Sequence, residues 1–140
     1  MSVRVTIVEG PLGPYEVGVG GDPGGGVGAE VVFDGIVRAM EGTARIEGLE
    51  YEAYRPMAEN ELERLAQRMV DSHGLASVEV WHSVGWVPVD GVSFRLVIRS
   101  AHRKEALLAM GEFIDAMKVD VPLWKRAADC GDGVWGGLLG

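Results

Sequence analysis

The chain is poor in cysteine, in basic charge and in long apolar runs, and each shortage removes a class of protein. One cysteine, Cys130, among 140 residues cannot close an internal disulfide. With no CxxC or Cys/His cluster there is no zinc signature either. No apolar run approaches the roughly 18 residues that a membrane span requires. The N-terminal "MSVRVTIVEG" alternates apolar and polar residues instead of forming the apolar core of a signal peptide. These features give the expectation of a soluble, untargeted, cytoplasmic protein. The 13 Lys and Arg residues are outnumbered by 21 Asp and Glu, for a formal net charge of −8. Nucleic acid and anionic lipid reward a basic surface, so neither is expected as a partner. The length fits one domain, residues 1–140, which buries about 70% of the surface of its unfolded form without staples.

Hydrophobic residues make up 47% of the chain, and their periods alternate between those of strands and helices. "VRVTIVEG" reads as a strand, and residues 17–28 are too glycine-rich for regular structure and read as a surface loop. In residues 29–38, Ala29, Val31, Phe33, Gly35 and Val37 share one face of a half-buried strand that ends in Arg38. After a turn at "MEGTA", "RIEGLEYEAY" reads as a strand expected to pair with its predecessor. "RPMAENELERLAQRMVDSHG" places Ala58, Leu62, Leu65, Ala66 and Met69 at helical spacing, with proline near the start and Gly74 past the end. "LASVEVWHSVG" and "GVSFRLVIRSA" then form a hairpin, with the half-dozen residues of "WVPVDG" as the expected connection. A second amphipathic helix, "HRKEALLAMGEFIDAMK", carries Ala106, Met110, Phe113, Ile114 and Met117 on its apolar stripe, with Ser100 as the expected N-cap. Val121-Pro122 ends it. Residues 129–140 form a turn-rich tail in which Trp135 is the expected anchor. This order indicates an α+β domain of two layers, with a mostly antiparallel sheet and two main helices.

The basic residues are not evenly spread. Between Arg99 and Arg126 the chain is +2, and the remainder is −10. A local anion site in an acidic protein follows. His102 and Arg103 fall in the first turn of the second helix, where the dipole opposes cations and favours an anion; the plainer reading is local packing and solvation. Lys118 falls in the last turn, where the dipole alone accounts for a cation. Lys125 follows Pro122 and Trp124 in a segment that must leave the helix. With Arg38 the two lysines form a possible anion-binding cluster, against the alternative that each is a solvated surface charge. His102 and Lys118 are 16 residues apart, about 24 Å along one helix, so both ends serve one small ligand only if two chains build the site. His82, on an apolar strand face with Val78, Val80 and Val84, reads as a hydrogen-bonded core residue. Tyr51, Glu52 and Tyr54 read as a sheet face, and Cys130 as structural or incidental.

Taken in order, "VVFDGIVR", "LEYEAYRPMAE", "VGWVPV", "SAHRKEA" and "MKVDVPLWKR" resemble the large, catalytic subunit of molybdopterin synthase over roughly residues 29 to 135. The resemblance implies an α/β hammerhead with an added antiparallel subdomain, a homodimer, and a small ubiquitin-like sulfur carrier on each subunit to give a heterotetramer. It implies sulfur transfer from the carrier's Gly-Gly thiocarboxylate to cyclic pyranopterin monophosphate, forming the dithiolene of molybdopterin. No metal or bound cofactor is implied. By position it places Lys118 and Lys125 in catalysis, and Ile36, Val37, Arg38, His102, Arg103 and Arg126 at the substrate. The chain departs from the family's usual pattern at Ser83, where arginine is common, and at Ala127, where glutamate is usual. It also has no basic residue after Arg126. Two other readings stand beside the enzyme: a non-catalytic paralogue that binds a carrier tail, and a dimeric regulator that binds a phosphorylated metabolite.

Overall fold

The computed structural model describes residues 2–16, 24–127 and the backbone of 135–138. Its elements run β1 (Val3–Glu9), β2 (Ala29–Ile36), β3 (Met40–Glu41), β4 (Ala44–Arg45), β5 (Gly48–Ala53), α1 (Met57–His73), β6 (Ser77–Pro88), β7 (Val92–Ser100), α2 (Arg103–Asp120), β8 (Leu123–Ala127) and β9 (Trp135–Leu138). The expected α+β class holds: two helices lie against a mostly antiparallel sheet.

The main sheet has seven strands, ordered β2-β7-β6-β5-β8-β9, with β1 alongside β6. The β1–β6 pairing is parallel and the others are antiparallel. Strand β6 organises this arrangement by changing partner along its length. Its first part pairs β7 from Ser77 to His82 and β1 from Val78 to Val84, whereas Gly85 to Pro88 pairs β5. The switch falls at Gly85, whose φ of 81° is one that residues with a Cβ rarely adopt. "WVP" therefore continues a strand, and the connection to β7 shortens to residues 89–91, with Asp90 at φ 71°.

Three further expectations need correction. Strand β5 does not pair with β2; it lies between β6 and β8, because alternation fixes a strand's faces but not its neighbours. The hairpin that does form there is the short β3–β4 arm. Strand β2 stops at Ile36, after a register shift at Gly35/Ile36, so Val37 and Arg38 lie beyond it. In the tail, Trp135–Leu138 adds a strand to β8; the Trp135 side chain and the rest of residues 128–140, Cys130 included, fall outside the described residues, as do residues 17–23 of the glycine-rich loop.

The helices form where the periodicity placed them. In α1 the buried residues are Ala58, Leu62, Leu65, Ala66 and Met69, and Gly74 closes the helix at φ 64° with its N–H donating to the Val70 carbonyl. In α2, Ala106, Ala109, Met110, Phe113 and Met117 are buried, while Ile114 is half-buried. Both helices pack on the sheet face that carries Val78, Val80, Phe94, Leu96 and Ile98, which makes the principal core. A second, smaller core gathers Val37, Ile46, Leu49, Tyr51 and Val87, with Val89 and Ala127 packed against it. No helix is long and apolar enough to cross a membrane among the described residues.

The face of β7 turned away from the helices is polar and tightly paired. Arg95 holds Asp34 through Nε at 2.6 Å and Nη2 at 3.0 Å. Arg99, with its side chain only 2% exposed, donates to Glu30 at 2.7 Å, Glu79 at 3.1 Å and the Tyr15 hydroxyl at 2.9 Å. Burial opposes its charge, but the carboxylates of Glu30 and Glu79 outweigh that, and its pKa is raised.

Candidate active site

A cleft of about 210 Å³ opens where the two cores meet. Phe94 and Met117 line it from the principal core, and Val37, Leu49 and Tyr51 from the smaller one. The positioning of its cations follows from the local sequence. Helix α2 presents Ile114 and Lys118 four residues apart, hence on one face, and both line the cleft. Val121 caps the helix in an extended conformation at φ −95°, and Pro122 cannot continue it. The chain therefore turns back as β8, where pairing of Lys125 opposite Tyr51 fixes the second lysine. Arg38 enters from the segment after β2, anchored by Val37, which is 2% exposed and exchanges backbone hydrogen bonds with Asp90 and Gly91.

Arg38, Lys118 and Lys125 thus line one cleft, as do Ile36 and Val37. Glu41 is the one acidic residue among the lining, so the cleft is formally +2 in a chain of −8. Arg38 and Lys118 are exposed and make no ion pair among the described residues, whereas Lys125 is half-buried with Nζ 3.1 Å from Glu41 Oε1. Two cations are therefore available to an incoming anion, and one is already engaged.

His102 and Arg103 do not line this cleft. They sit exposed at the far end of α2, as the length of that helix requires. His102 itself is the N-cap, at φ −131° and ψ 157°, with no side-chain capping bond. Ser100, the expected cap, is the last residue of β7, and its hydroxyl donates to the His102 carbonyl. Arg126 is also absent from the cleft lining, because successive residues of β8 point to opposite faces and Lys125 takes the inward one.

Three cleft residues escaped the sequence reasoning. Tyr51 is buried, and burial pushes its phenol up, with a hydrogen bond to Ser93 opposing and the charge of Glu41 adding. His82 is a buried, hydrogen-bonded residue as anticipated, packed edge-on to Tyr51 at 5.5 Å and near Phe94 at 6.0 Å, but it also reaches the cleft wall. Burial lowers its pKa to about 4, opposed by the hydrogen bond to the Ser83 carbonyl. Its Nδ1 donates to that carbonyl at 2.7 Å, which makes Nε2 an acceptor in a neutral ring. The third is Glu41, which sat in an apparently simple turn; no spacing rule links it to Lys125, which is far away in sequence. Among the described residues no group of three or more His, Cys, Asp or Glu could hold a metal ion.

A positive cleft of this size, walled by apolar groups, can hold an anionic chain end or a phosphorylated ring. The molybdopterin synthase catalytic subunit of Bos taurus is 39% identical over 99 residues, covering 71% of this chain and 52% of that protein. The chain thus spans about half the length of the mammalian relatives it matches. The crystal structure of molybdopterin synthase from Staphylococcus aureus superposes with a TM-score of 0.75 at 33% identity, covering 79% of this chain and 81% of that one. A protein–protein complex of subunits 1 and 2 of the molybdopterin-converting factor from Helicobacter pylori 26695 gives a TM-score of 0.74 at 25% identity, covering 94% and 89%. Residues 16–120 match the family described as MoaE protein, and the chain belongs to that family.

Proposed function

We propose that this chain is the catalytic subunit of a molybdopterin synthase. In this reading it takes sulfur from the thiocarboxylated end of a small ubiquitin-like carrier and installs it on cyclic pyranopterin monophosphate, in molybdenum cofactor biosynthesis. The observation that carries the proposal is the convergence of Arg38, Lys118 and Lys125 on one cleft in an acidic MoaE-family chain. Both reactants are anionic, one through its phosphate and the other through its thiocarboxylate, and a site for them needs clustered cations.

Lys118 is the residue placed at the thiocarboxylate carbonyl. Exposed and without an ion pair among the described residues, its ammonium donates to the carbonyl oxygen as negative charge develops there: once the sulfur has bonded to the pterin, water attacks the acyl carbon, the acyl carbon–sulfur bond breaks, the sulfur stays on the pterin and the carrier leaves as a carboxylate. Lys125 stands behind it as a fixed second cation. The sulfur arrives on a protein with its electrons, so the transfer calls on no metal and no bound redox cofactor. Arg38 holds the substrate's phosphate or ring oxygens, with Ile36 and Val37 as the apolar wall.

The reading includes a homodimer. His102 and Arg103 lie about 24 Å from Lys118 along α2, so they reach the substrate only in a second copy's cleft. A two-fold dimer supplies this twice over, giving two composite sites. The two-subunit composition of the H. pylori complex supports a carrier partner on each large subunit, hence a heterotetramer. The setting proposed is the cytoplasm.

The test is reconstitution. Protein mixed with a thiocarboxylated carrier and cyclic pyranopterin monophosphate is expected to yield the dithiolene product. Binding of the carrier tail without product would instead support a non-catalytic paralogue, and binding of the phosphorylated ligand alone would support a regulator.

A further inference from the structure

The ion pair inside the cleft joins two residues of unequal freedom. Lys125 lies on β8, paired to β5 within the seven-stranded sheet, and Tyr51 stands opposite it. Glu41 lies on the β3–β4 arm, whose only ladder among the described residues is its own: Met40 pairs Arg45 and Glu41 pairs Ala44. The base of the arm is fastened by the Ile46 N–H donating to the Ala39 carbonyl at 2.9 Å, and by Ile46 in the smaller core. Its tip, at Gly42 with φ 61°, has no such fastening to the sheet among the described residues. If the pair opens, Glu41 is the partner that moves.

The pair also has an electrostatic consequence. Lys125 is half-buried, so without a partner it would attract any anion in the cleft strongly, spent product included. Glu41 supplies that partner while leaving Arg38 and Lys118 open.

We infer that Glu41 is a built-in counter-anion for Lys125, displaced from it by the anion that enters the cleft. Resting on the function proposed above, the entering anion is the carrier's terminus, which arrives as a thiocarboxylate and leaves as a carboxylate. Glu41 then acts as a positioning residue that sets how tightly either form is held: it weakens binding, and by closing again on Lys125 it speeds release of the spent carrier.

Direct titration separates this from a structural role. Two probes are used at low ionic strength: a peptide ending in a free Gly-Gly carboxylate, and inorganic pyrophosphate. They are titrated into wild-type protein, Glu41→Gln, Lys125→Met and the double variant, with folding verified by thermal unfolding. Glu41→Gln is expected to tighten anion binding roughly threefold to tenfold, since it removes a negative charge from beside the binding cation. Lys125→Met is expected to weaken binding, and in that background Glu41→Gln is expected to add nothing, which is the coupling that defines the pair. In turnover, Glu41→Gln should lower KM for the carrier without raising kcat. Unchanged or weaker binding in Glu41→Gln, or the same gain without Lys125, overturns the inference. Gain with pyrophosphate but no peptide binding by any variant would uphold the counter-anion and reject the carrier. Failure of both wild type and Glu41→Gln to bind either probe would reject the counter-anion itself.

Discussion

Tyr51 on β5 and Lys125 on β8 are cross-strand partners, and both line the cleft. The position of the second lysine is thus set by sheet register, which a change of side chain does not disturb. Lys125→Ala is therefore expected to keep the fold, with a stability change within about 1 kcal/mol. It is expected to slow sulfur transfer by roughly 100- to 1000-fold, the usual loss on removing one electrostatic stabiliser. Denaturant unfolding and single-turnover product formation check the two halves.

His82 gives the protein a pH signature. Its folded pKa, lowered to about 4, lies below the ordinary value of 6.5, so between these values the unfolded chain binds more protons than the folded one. Stability contributed by the neutral ring is complete above pH 6.5 and is lost as pH falls towards 4, by up to roughly 3 kcal/mol. His82→Phe should flatten the stability profile over that window relative to wild type. Parallel profiles in urea unfolding would show that the ring does not titrate in this way.

Arg99 donates to Glu30, Glu79 and the Tyr15 hydroxyl on the polar sheet face. Arg99→Leu leaves Glu30 and Glu79 without their guanidinium on the polar sheet face and is expected to cost about 3 to 5 kcal/mol. At a temperature where the variant remains folded, pyrophosphate affinity in the cleft should be unchanged, because Arg99 does not line it.

The sequence made the helices plain and the sheet's order obscure, for a physical reason. In α1 the five residues at helical spacing are the five that are buried, since a helix buries a stripe that its own period defines. Strand alternation marks the faces of β5 but not its neighbours, so its pairing with β6 and β8 instead of β2 could not be read. Gly85, which lets β6 change partner, looked like the edge of a turn. The site was legible in the same uneven way. Arg38, Lys118 and Lys125 stood out as basic residues in an acidic chain, and the family resemblance gave them roles. Glu41, Tyr51 and His82 reach the cleft through cross-strand register and a hairpin arm, and register is a property of the assembled sheet.

The central claim is a sulfur-transfer site built from two chains. Lys118→Ala removes an exposed side chain from the last turn of α2, and His102→Ala one from its N-cap; each variant alone is expected to fold and to lose nearly all activity. The decisive measurement is the activity of the two variants mixed in equal amounts and allowed to exchange subunits. A composite site predicts recovery to about a quarter of wild-type activity, since half of the dimers are mixed and each mixed dimer carries one intact site. Mixed dimers that demonstrably form and yet produce no molybdopterin would contradict the account.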